Sequence, residues 1–427
     1  MTYTAIMKIH IDLDCFFVSA QRSIDPALLG KPVGVGGRGD QYIFSHEKSN
    51  QELLLDNSGS FVGSFFHRYA GDDINQFIDA NGRIRGILTT ASYEARAYGI
   101  NTGMTIREAL IRCPTLIIKG PDMQLYHRLS HALHQFLQER IPLIEQASID
   151  EFYGDLAGWI TDEEVPAFID HLRHEIKRQL NLPVSIGAAN SKHIAKLATE
   201  SSKPFGCKTI LNHEVSNFVF AIPVHKFPGI GSSMQKRCVQ YHLRTLGDLL
   251  RAKDLVCSWG PYAKSLYERI SGHDLGELTV NAPRKSIGIS RTFDPISNRD
   301  EIRRRVSILS RHLAYAITKL EVNPTTFNFS LYYQHHPKSH SALSESRLFN
   351  EQRFRQLCRE LLAKSDCHTN GAITHLGISA SAFSVHSRRT LSLIDYEEDT
   401  KARDFDQKSR AIRDKYGCDA LKWGSEL

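Results

Sequence analysis

The sequence lacks the cysteine pairs, the leader and the long apolar runs that mark several classes of protein. Its eight cysteines form no C-x-x-C pair, and their spacing fits neither a zinc site nor a small disulfide scaffold. We therefore interpret them as reduced thiols of a cytoplasmic protein. The N-terminus has no signal-peptide core, no apolar stretch approaches the length of a membrane span, and there is no internal repeat or low-complexity tract.

Net charge is also small, and it is unevenly distributed. The 427 residues carry a formal charge of +6, with 41% hydrophobic and 23% charged residues, which is ordinary for a globular protein of two to four domains. Residues 281–360 contain 14 Lys and Arg against 7 Asp and Glu. This local excess is larger than that of the whole chain, so it predicts one basic face. A solvated charged surface without a partner is the alternative.

Hydrophobic periodicity divides the chain into three regions. Up to about residue 210, short strands alternate with helices, which is typical of an α/β or α+β catalytic module. Residues 224–252 then predict two helices around the turn 228–231. A second mixture of helices and strands follows from about residue 287, so we expect more than one folding unit.

Two acidic motifs interrupt predicted strands that are far apart in the sequence. They are KIHIDLDCFF (8–17) and SIDEF (148–152), and they hold four carboxylates: Asp12, Asp14, Asp150 and Glu151. Carboxylates at strand ends, together with the backbone carbonyl of Leu13, are the hard oxygen ligands that Mg²⁺ takes. Brought together, the two motifs would hold two ions for phosphoryl transfer. Surface acids at strand ends are the alternative, which we would favour for a single Asp.

Five motifs follow one another along the chain: IDLDCFFVSAQ, TTASYEARAYGINTGM, SIDEFYGDL, SIGAANSKHIAKLATESSKPFG and PGIG. In this order they resemble Y-family (translesion) DNA polymerases, most closely the DinB or DNA polymerase IV branch. The resemblance covers nearly the whole chain from about residue 8. It implies a multidomain α+β fold, a right-hand polymerase with palm, fingers, a helical thumb and an α/β little finger.

The resemblance also implies domain boundaries. They are palm 1–23 and 124–210, fingers 24–123 with an extended insertion at about 38–86, thumb 211–275 with a helix-hairpin-helix, linker 276–286, little finger 287–395 and C-terminal tail 396–427. The 49 residues between Gly37 and Ile87 exceed the short connection usual in the family. We expect this insertion to be an elaboration of the fingers.

The family's site residues carry over by motif position. Asp12, Asp150 and Glu151 are implied to be the catalytic acids that hold two Mg²⁺ ions, with Mn²⁺ as an alternative metal and the carbonyl of Leu13 assisting. Asp14 and Ser148 are expected to orient or support them. Phe17 lies where the family places a steric gate against the ribose 2′-hydroxyl; without the family, a core aromatic would be favoured.

The incoming nucleotide is implied to contact a wider set of residues: Phe16, Phe17, Thr90, Tyr93, Arg96 and Lys203. Tyr93 and Arg96 are three residues apart and would share one face of a helix. Guanidinium donors suit phosphate oxygens, and Lys203 precedes Pro204 at a predicted helix end. Taken singly, each would be interpreted as a surface group.

Two further regions are expected to bind DNA. In the turn 228–231, Gly229 and Gly231 would let the backbone approach a phosphate, with Lys236 nearby; an ordinary helix–helix turn is equally compatible with GIG alone. In the basic segment, Arg303, Arg304 and Arg305 are expected to track duplex phosphates, so binding should depend strongly on salt. TLSLID (390–395) has Thr390 and Ile394 where a clamp-binding peptide has Gln and an aromatic residue, which leaves sliding-clamp binding open.

These observations predict a low-fidelity, template-directed DNA polymerase for translesion synthesis. Its partners would be primer–template DNA, dNTPs and conditionally the sliding clamp, with no membrane; we expect a monomer, cytoplasmic and nucleoid-associated if bacterial. Alternatives are the catalytic subunit of a UmuC-type mutagenic polymerase and a catalytically inactive DNA-binding scaffold of the same fold. A helix-hairpin-helix nuclease or glycosylase would need acids near the hairpin, where 224–252 offers only Asp248.

Overall fold

A computed structural model of the chain describes most of its residues. The described ranges are 7–37, 41–44, 51–54, 64–67, 77–78, 82–273, 276–280, 283–383 and 395–426. The chain divides into two compact units. The first unit comprises Met1–Gly36 and Ile87–Asn281, and the second comprises Gly37–Gly86 and Ala282–Leu427.

The described part of the chain contains fourteen β-strands. In chain order they are β1 (Lys8–Leu13), β2 (Val33–Gly37), β3 (Gln51–Leu54), β4 (Ser64–His67), β5 (Ile87–Ala91), β6 (Ile117–Lys119), β7 (Leu143–Gln146), β8 (Glu151–Asp155), β9 (Val184–Ala189), β10 (Cys207–Ile210), β11 (Ser286–Ile296), β12 (Pro324–Tyr333), β13 (Ser339–Ser344) and β14 (Ile373–Phe383).

The same residues contain fourteen α-helices. They are α1 (Phe16–Ile24), α2 (Tyr93–Arg96), α3 (Ile106–Arg112), α4 (Met123–Gln138), α5 (Val165–Leu180), α6 (Lys192–Ser202), α7 (Val215–Val219), α8 (Ser232–Gln240), α9 (Leu246–Arg251), α10 (Lys253–Ser258), α11 (Pro261–Ile270), α12 (Arg299–Leu320), α13 (Glu351–Ser365) and α14 (Tyr396–Tyr416). No helix among the described residues is both long and apolar enough to cross a bilayer.

A five-stranded sheet forms the centre of the first unit. Its order is β10-β9-β1-β8-β7, with β1 antiparallel to both neighbours. All six residues of β1 are buried because the strand is central and covered on both faces. Since side chains alternate along a strand, Ile9 and Ile11 face the apolar core that includes α4 and α5, whereas His10 faces α6 and bonds Thr199 there.

Helix α6 lies unusually close to this sheet. A Cβ at Gly187 on β9 would collide with the carbonyl oxygen of Ala195 and the backbone nitrogen of Thr199. Only glycine allows this approach without a shift of backbone. The close packing brings the α6 side chains next to β1 and β8.

Two smaller substructures complete the first unit. A three-stranded sheet, β5-β2-β6, carries α2 and α3, and each of these helices begins at a hydroxyl cap, Ser92 and Thr105, that accepts a backbone N–H bond. Helices α7 to α11 pack around a separate apolar core that includes Phe227 and Leu246. The predicted helical region after residue 211 is therefore present.

The second unit is built on a four-stranded antiparallel sheet of order β11-β14-β12-β13. One face packs against α12 and α13, in agreement with the alternation of buried and half-buried residues along β12. The opposite face is lined largely by small polar side chains and forms a shallow depression of about 590 Å³.

The segment that the sequence predicts to be a fingers insertion groups with the second compact unit. Residues 37–86 belong to the second unit, although most of them lie outside the described residues. Ile43 and Phe44 are buried in the core of that unit, and Arg304 on α12 donates a 2.8 Å hydrogen bond to the carbonyl oxygen of Phe44. An apolar pair in a polar stretch therefore anchors the insertion on α12.

The predicted C-terminal tail is also part of the second unit. Helix α14 buries Asp399, Asp406 and Arg413. Arg413 forms a 2.6 Å ion pair with Glu351 on α13. The unit thus extends beyond the boundary expected at residue 395, because buried ion pairs attach the charged helix.

Candidate active site

The two acidic motifs meet on neighbouring strands. Asp12 near the end of β1 lies directly opposite Glu151 at the start of β8. The backbone N–H of Leu13 donates a 3.0 Å bond to the carbonyl of Asp150. The predicted approach of Asp12 to Asp150 and Glu151, 138 positions later in the chain, is found in the structure.

A serine-centred turn positions the two consecutive acids. Ser148 Oγ accepts from the backbone nitrogens of Asp150, at 3.2 Å, and Glu151, at 3.1 Å, and donates to the Asp150 carboxylate at 2.5 Å. Asp150 precedes β8, so strand alternation does not force its side chain away from that of Glu151. Ser148 is thus well placed for the supporting role that the sequence suggested.

Two lysines hold the carboxylates in this structure, Lys196 on α6 and Lys203 directly after it. Lys203 Nζ lies 2.8 Å from Asp12 and 2.6 Å from Glu200, while Lys196 Nζ lies 2.5 Å from Glu151. Sequence reasoning singled out Lys203 but missed Lys196. In the helix that the sequence predicts to end before Pro204, a spacing of seven residues places both lysines on one face, and this was the available signal; in the structure the helix ends at Ser202.

Burial dominates the electrostatics of the acids. It raises the pKa of Asp12 to about 7; Lys203 opposes this shift, and the charges of Asp150 and Glu151 add to it. Burial likewise raises the pKa of Asp150, against the Ser148 hydrogen bond. Burial acts to lower the pKa of Lys203, but its attraction to Asp12 and hydrogen bond with it prevail and raise the pKa. A bound cation would stabilise the ionised acids.

His10 is a further member of the cluster that sequence reasoning missed. One ring nitrogen of His10 and one carboxylate oxygen each of Asp12 and Glu151 lie within 4.8 Å of one another. Burial, followed by the charges of Lys196, Lys203 and Lys192, lowers its pKa well below the usual range. The signal was strand alternation, since His10 and Asp12 are two residues apart and share a face.

Asp14 connects elements around the site rather than joining the three acids. Its carboxylate accepts bonds from Ser185 Oγ at 3.0 Å, from the hydroxyl of Tyr93 at 3.2 Å and from the backbone nitrogen of Phe205 at 2.7 Å. Burial raises its pKa, and these bonds oppose the shift. Asp14 therefore orients Tyr93 and the segment just beyond Lys203.

The aromatic pair at the start of α1 splits into a core residue and a cleft residue. Phe16 is buried, with 2% of its surface exposed. Phe17 is half-buried and stacks on Tyr126, with ring centroids 4.3 Å apart and an interplanar angle of 14°. Gln21 donates a 3.1 Å bond to the Tyr126 hydroxyl, which fixes the platform beneath the Phe17 ring.

The remaining candidates for nucleotide binding lie on β5 and α2. Thr90 is half-buried on β5. The exposed guanidinium of Arg96 lies 5.0 Å from the ring centroid of Tyr93 and donates through Nε to the carbonyl of Ala91 at 3.1 Å. The predicted sharing of a helix face by Tyr93 and Arg96 is present, and their contact with a nucleotide stays a prediction.

The Gly-rich turn before α8 has the geometry expected of a backbone-approach loop. Gly229 has φ of +97°, a conformation that favours glycine, and its carbonyl accepts a 2.6 Å bond from Tyr262. Gly231 immediately precedes α8, and Lys236 on that helix is exposed. The turn exposes the start of a helix beside a cation.

The three arginines of α12 are less available than the sequence suggested. Arg303 is exposed and paired with Asp300. Arg304 and Arg305 both bond Glu301, at 2.8 and 2.7 Å, and each side chain is 17% exposed. Glu301 contacts the guanidinium groups of Arg304 and Arg305, and nearby aromatic rings contact that of Arg305. Arg303 is therefore the arginine best placed to contact a phosphate.

Comparison with known proteins gives consistent results over both units. The profile of the impB/mucB/samB family matches residues 11–200, and that of its C-terminal domain matches residues 284–393. The chain is 29% identical over 318 residues to the DNA polymerase IV of Glaesserella parasuis serovar 5 (strain SH0165), covering 74% of this chain and 77% of the relative.

Other relatives agree. Identity is 30% over 296 residues with the DNA polymerase IV of Actinobacillus pleuropneumoniae serotype 3 (strain JL03), covering 67% of this chain and 69% of the relative. Among solved structures, a Y-family DNA polymerase chimera of Dbh and Dpo4 superposes with a TM-score of 0.67 at 22% identity. That similarity spans 89% of this chain and all of the other, and it supports the same fold.

Proposed function

The chain belongs to the impB/mucB/samB family, in the Y-family branch whose curated relatives are named DNA polymerase IV, and we propose that it extends primer 3′ ends on damaged templates. The reaction joins a dNTP to the primer and releases pyrophosphate. The protein is a DNA-directed DNA polymerase of the DinB type. The single observation that carries the active-site assignment is the convergence of Asp12 with Asp150 and Glu151.

The acids fit a divalent cation. Three carboxylates at the adjoining ends of β1 and β8 form an all-oxygen donor set of the kind that Mg²⁺ takes. Asp12, Asp150 and Glu151 would hold two ions, with the Leu13 carbonyl assisting. When bound, these ions activate the primer hydroxyl and neutralise charge on the phosphates. Mg²⁺ is the proposed ion, with Mn²⁺ as a possible substitute.

Lys203 would have one role before a cation binds and another role afterwards. In the absence of a cation it neutralises Asp12 at 2.8 Å. With Asp12 bound to a cation, the Lys203 ammonium would be available to bind the triphosphate. Arg96 and Tyr93 would bind further phosphate oxygens from α2. Ser148 keeps Asp150 oriented throughout, through the bonds that it makes to the turn.

Sugar selection is assigned to Phe17. Its ring stacks on that of Tyr126. A flat ring held in this position would occupy the space that a ribose 2′-hydroxyl needs. Phe16 is too buried to contact a nucleotide directly and instead supports α1. Thr90 is kept as a peripheral contact.

DNA would be held by two surfaces, one in each unit. Gly229, Gly231 and Lys236 would bind backbone phosphate without reading sequence. In the second unit, Arg303 and the depression on the open sheet face are the candidate contacts. The small side chains of that face allow close approach of a duplex, and binding should weaken steeply with salt.

Several finer assignments stay predictions. Residues 390–394 of the clamp-binding candidate lie outside the described residues, so clamp binding is untested. The monomeric state and a nucleoid location are likewise expected only. A UmuC-type subunit is not favoured, because the curated relatives are named DNA polymerase IV.

The two inactive or unrelated alternatives have specific objections. A catalytically inactive scaffold would have no use for three convergent acids and two lysines positioned on them. A helix-hairpin-helix nuclease or glycosylase would need Asp248 free, but this residue caps α9 and bonds the backbone nitrogens of Arg244 and Thr245.

The proposal is tested by primer extension with the full chain, Mg²⁺ and the four dNTPs. Extension on an undamaged template and across an abasic site is expected. Asp150→Asn should abolish both, whereas Asp155→Asn, at the far end of β8, should leave both within about twofold because Asp155 caps only Ala157. Extension by the Asp150→Asn protein at an undiminished rate would refute the active-site assignment.

A further inference from the structure

His10 is a buried histidine whose two ring nitrogens have different surroundings. Nδ1 lies 2.9 Å from Oγ1 of Thr199. Nε2 is buried and has no hydrogen-bond partner within the part of the chain that the structure describes. A buried polar atom without a partner costs about 1–3 kcal/mol, so the position implies a partner other than the described residues.

The hydroxyl of Thr199 determines which nitrogen carries the proton. Its Oγ1 lies 3.0 Å from the carbonyl oxygen of His10 and 3.0 Å from that of Ala195. Because the hydroxyl has one hydrogen and both carbonyls are acceptors, it donates to one of them and accepts from Nδ1–H of His10. The neutral ring therefore keeps its lone pair on Nε2.

The His10 ring lies near two of the carboxylates. A ring nitrogen of His10 and carboxylate oxygens of Asp12 and Glu151 fall within 4.8 Å of one another, and Nε2 is the nitrogen that Thr199 does not engage. We propose that His10 Nε2 is a direct ligand to a borderline divalent cation, such as Mn²⁺ or Co²⁺, held together with Asp12 and Glu151. The inference rests on the proposed function only in using the same acids.

The ligand set gives the site a metal preference. Mg²⁺ binds oxygen and keeps much of its water, so it gains little from an imidazole. Borderline first-row cations accept imidazole nitrogen readily. The bond from Nδ1–H to a hydroxyl is the kind of outer contact that fixes the tautomer and orientation of a metal-binding histidine. His10 should thus strengthen Mn²⁺ and Co²⁺ binding selectively.

Pulsed electron paramagnetic resonance of Mn²⁺ bound to the full chain, without DNA or nucleotide, tests the proposal. A ¹⁴N coupling is expected, and it should change to a ¹⁵N coupling when the histidines are ¹⁵N-labelled. His10→Phe keeps a ring of similar size and should remove the coupling and weaken Mn²⁺ binding tenfold or more. Mg²⁺ affinity, measured by competition, should change less than twofold. His131→Phe, at an exposed position of α4, is the control and should retain the coupling.

Three results would overturn the ligand assignment. The first is a Mn²⁺ spectrum without nitrogen coupling, which includes the case in which the chain binds no ion. The second is undiminished Mn²⁺ affinity in His10→Phe, and the third is undiminished Mn²⁺ affinity in Asp12→Asn. The isotope experiment uses the unchanged sequence, so it decides even if His10→Phe does not fold. Nitrogen coupling without primer extension would refute the proposed polymerase function alone, and extension without coupling would refute His10 alone.

Discussion

Each unit of the molecule buries a cluster of charges, but the two clusters use different cations. In the first unit, Asp12 is held by Lys203 and Glu151 by Lys196. In the second unit, the guanidinium of Arg311, 1% exposed, bonds Glu426 at 2.8 Å and Asp419 at 2.7 Å. Both arrangements neutralise acids, but only the lysine pairs of the first unit are easily separated.

The difference lies in the side chains. Arginine presents a rigid fork of donors that fits a carboxylate at two points, while lysine offers a single charge on a flexible stem. Arg311 also donates to the carbonyl of Cys418 at 2.6 Å, so its donors are occupied on several sides. The arginine cluster therefore fixes the C-terminal segment on α12. The lysine cluster pairs Asp12 and Glu151 with one ammonium each, and nothing among the described residues bonds His10 Nε2.

Asp12→Asn should produce the largest separation of activity from stability. We expect primer extension to fall by at least about 10³-fold, since a neutral amide cannot compensate the charge of the cations. The free energy of unfolding should change by less than about 1 kcal/mol, because relief from burying the carboxylate offsets loss of the pair with Lys203. Single-turnover incorporation and urea unfolding measure the two effects. A large loss of stability would make Asp12 a structural acid like those of the second unit.

Arg311→Met should have the opposite profile. It leaves Glu426 and Asp419 buried without their guanidinium, which costs about 3–5 kcal/mol of unfolding free energy. Activity per folded molecule should stay within about twofold. Arg410→Met, which removes a more exposed pair with Glu321, is the control and should cost less than about 1 kcal/mol. Equal losses in the two variants would contradict a special role for the Arg311 cluster.

Phe17→Ala tests the nucleotide side of the first unit at a smaller scale. Removing the ring should reduce discrimination against ribonucleotides by about 10- to 100-fold, the range that a steric contact in a pocket provides, while dNTP incorporation stays largely intact. Tyr126→Phe keeps the stacked ring and removes only its bond with Gln21, so its effect on sugar selection should be much smaller than that of Phe17→Ala. Steady-state kcat/KM ratios for rNTP and dNTP give the result. Unchanged selection in Phe17→Ala would mean that the ring does not face the sugar.

Asp406 on α14 offers the smallest effect, and its sign is defined. Burial raises its pKa from 3.8 to about 7, against the Glu351 backbone N–H bond and with the Glu351 charge adding. The folded chain therefore binds the extra proton between these values, and its stability falls as pH rises from about 4 to about 7. Asp406→Asn should remove this fall and be more stable than the unchanged chain by about 1–2 kcal/mol at pH 8.

The pH effect is measured by urea unfolding at pH 5 and pH 8. Asp404→Asn, two residues earlier and exposed, is the control and should follow the unchanged chain at both values. A stability difference for Asp406→Asn that does not grow with pH would show that this carboxyl is ionised in the folded state throughout the range.

Sequence reasoning reached the acids because a local pattern marks them. Asp12 and the Asp150–Glu151 pair each interrupt an apolar strand, and the order of five motifs supplied the fold. His10 and Lys196 were missed. Alternation on β1 would have pointed to His10, and helical spacing from Lys203 would have pointed to Lys196. The grouping of the insertion with the second unit could not be predicted, because Ile43 and Phe44 occupy a polar stretch without periodicity and Phe44 contacts a residue 260 positions away.

The arginine cluster was beyond reach for the same physical reason. Arg311 and Glu426 are 115 positions apart, and neither lies in a motif. Such a pair follows from the tertiary packing of α14 and the residues beyond it, not from any repeating pattern. The Arg303–Arg305 run, in contrast, looked like a DNA contact in sequence, but Glu301 lies one helical turn away and engages two of its members.

The double variant Asp12→Asn/Glu151→Gln tests most directly whether the acids of the first unit act as one cation-holding centre. In single-turnover incorporation with Mg²⁺, the account predicts that the double variant is within about tenfold of the slower single variant, because groups that act as a unit are lost together. Rate losses that multiply would mean that Asp12 and Glu151 act independently, and the shared centre would be contradicted.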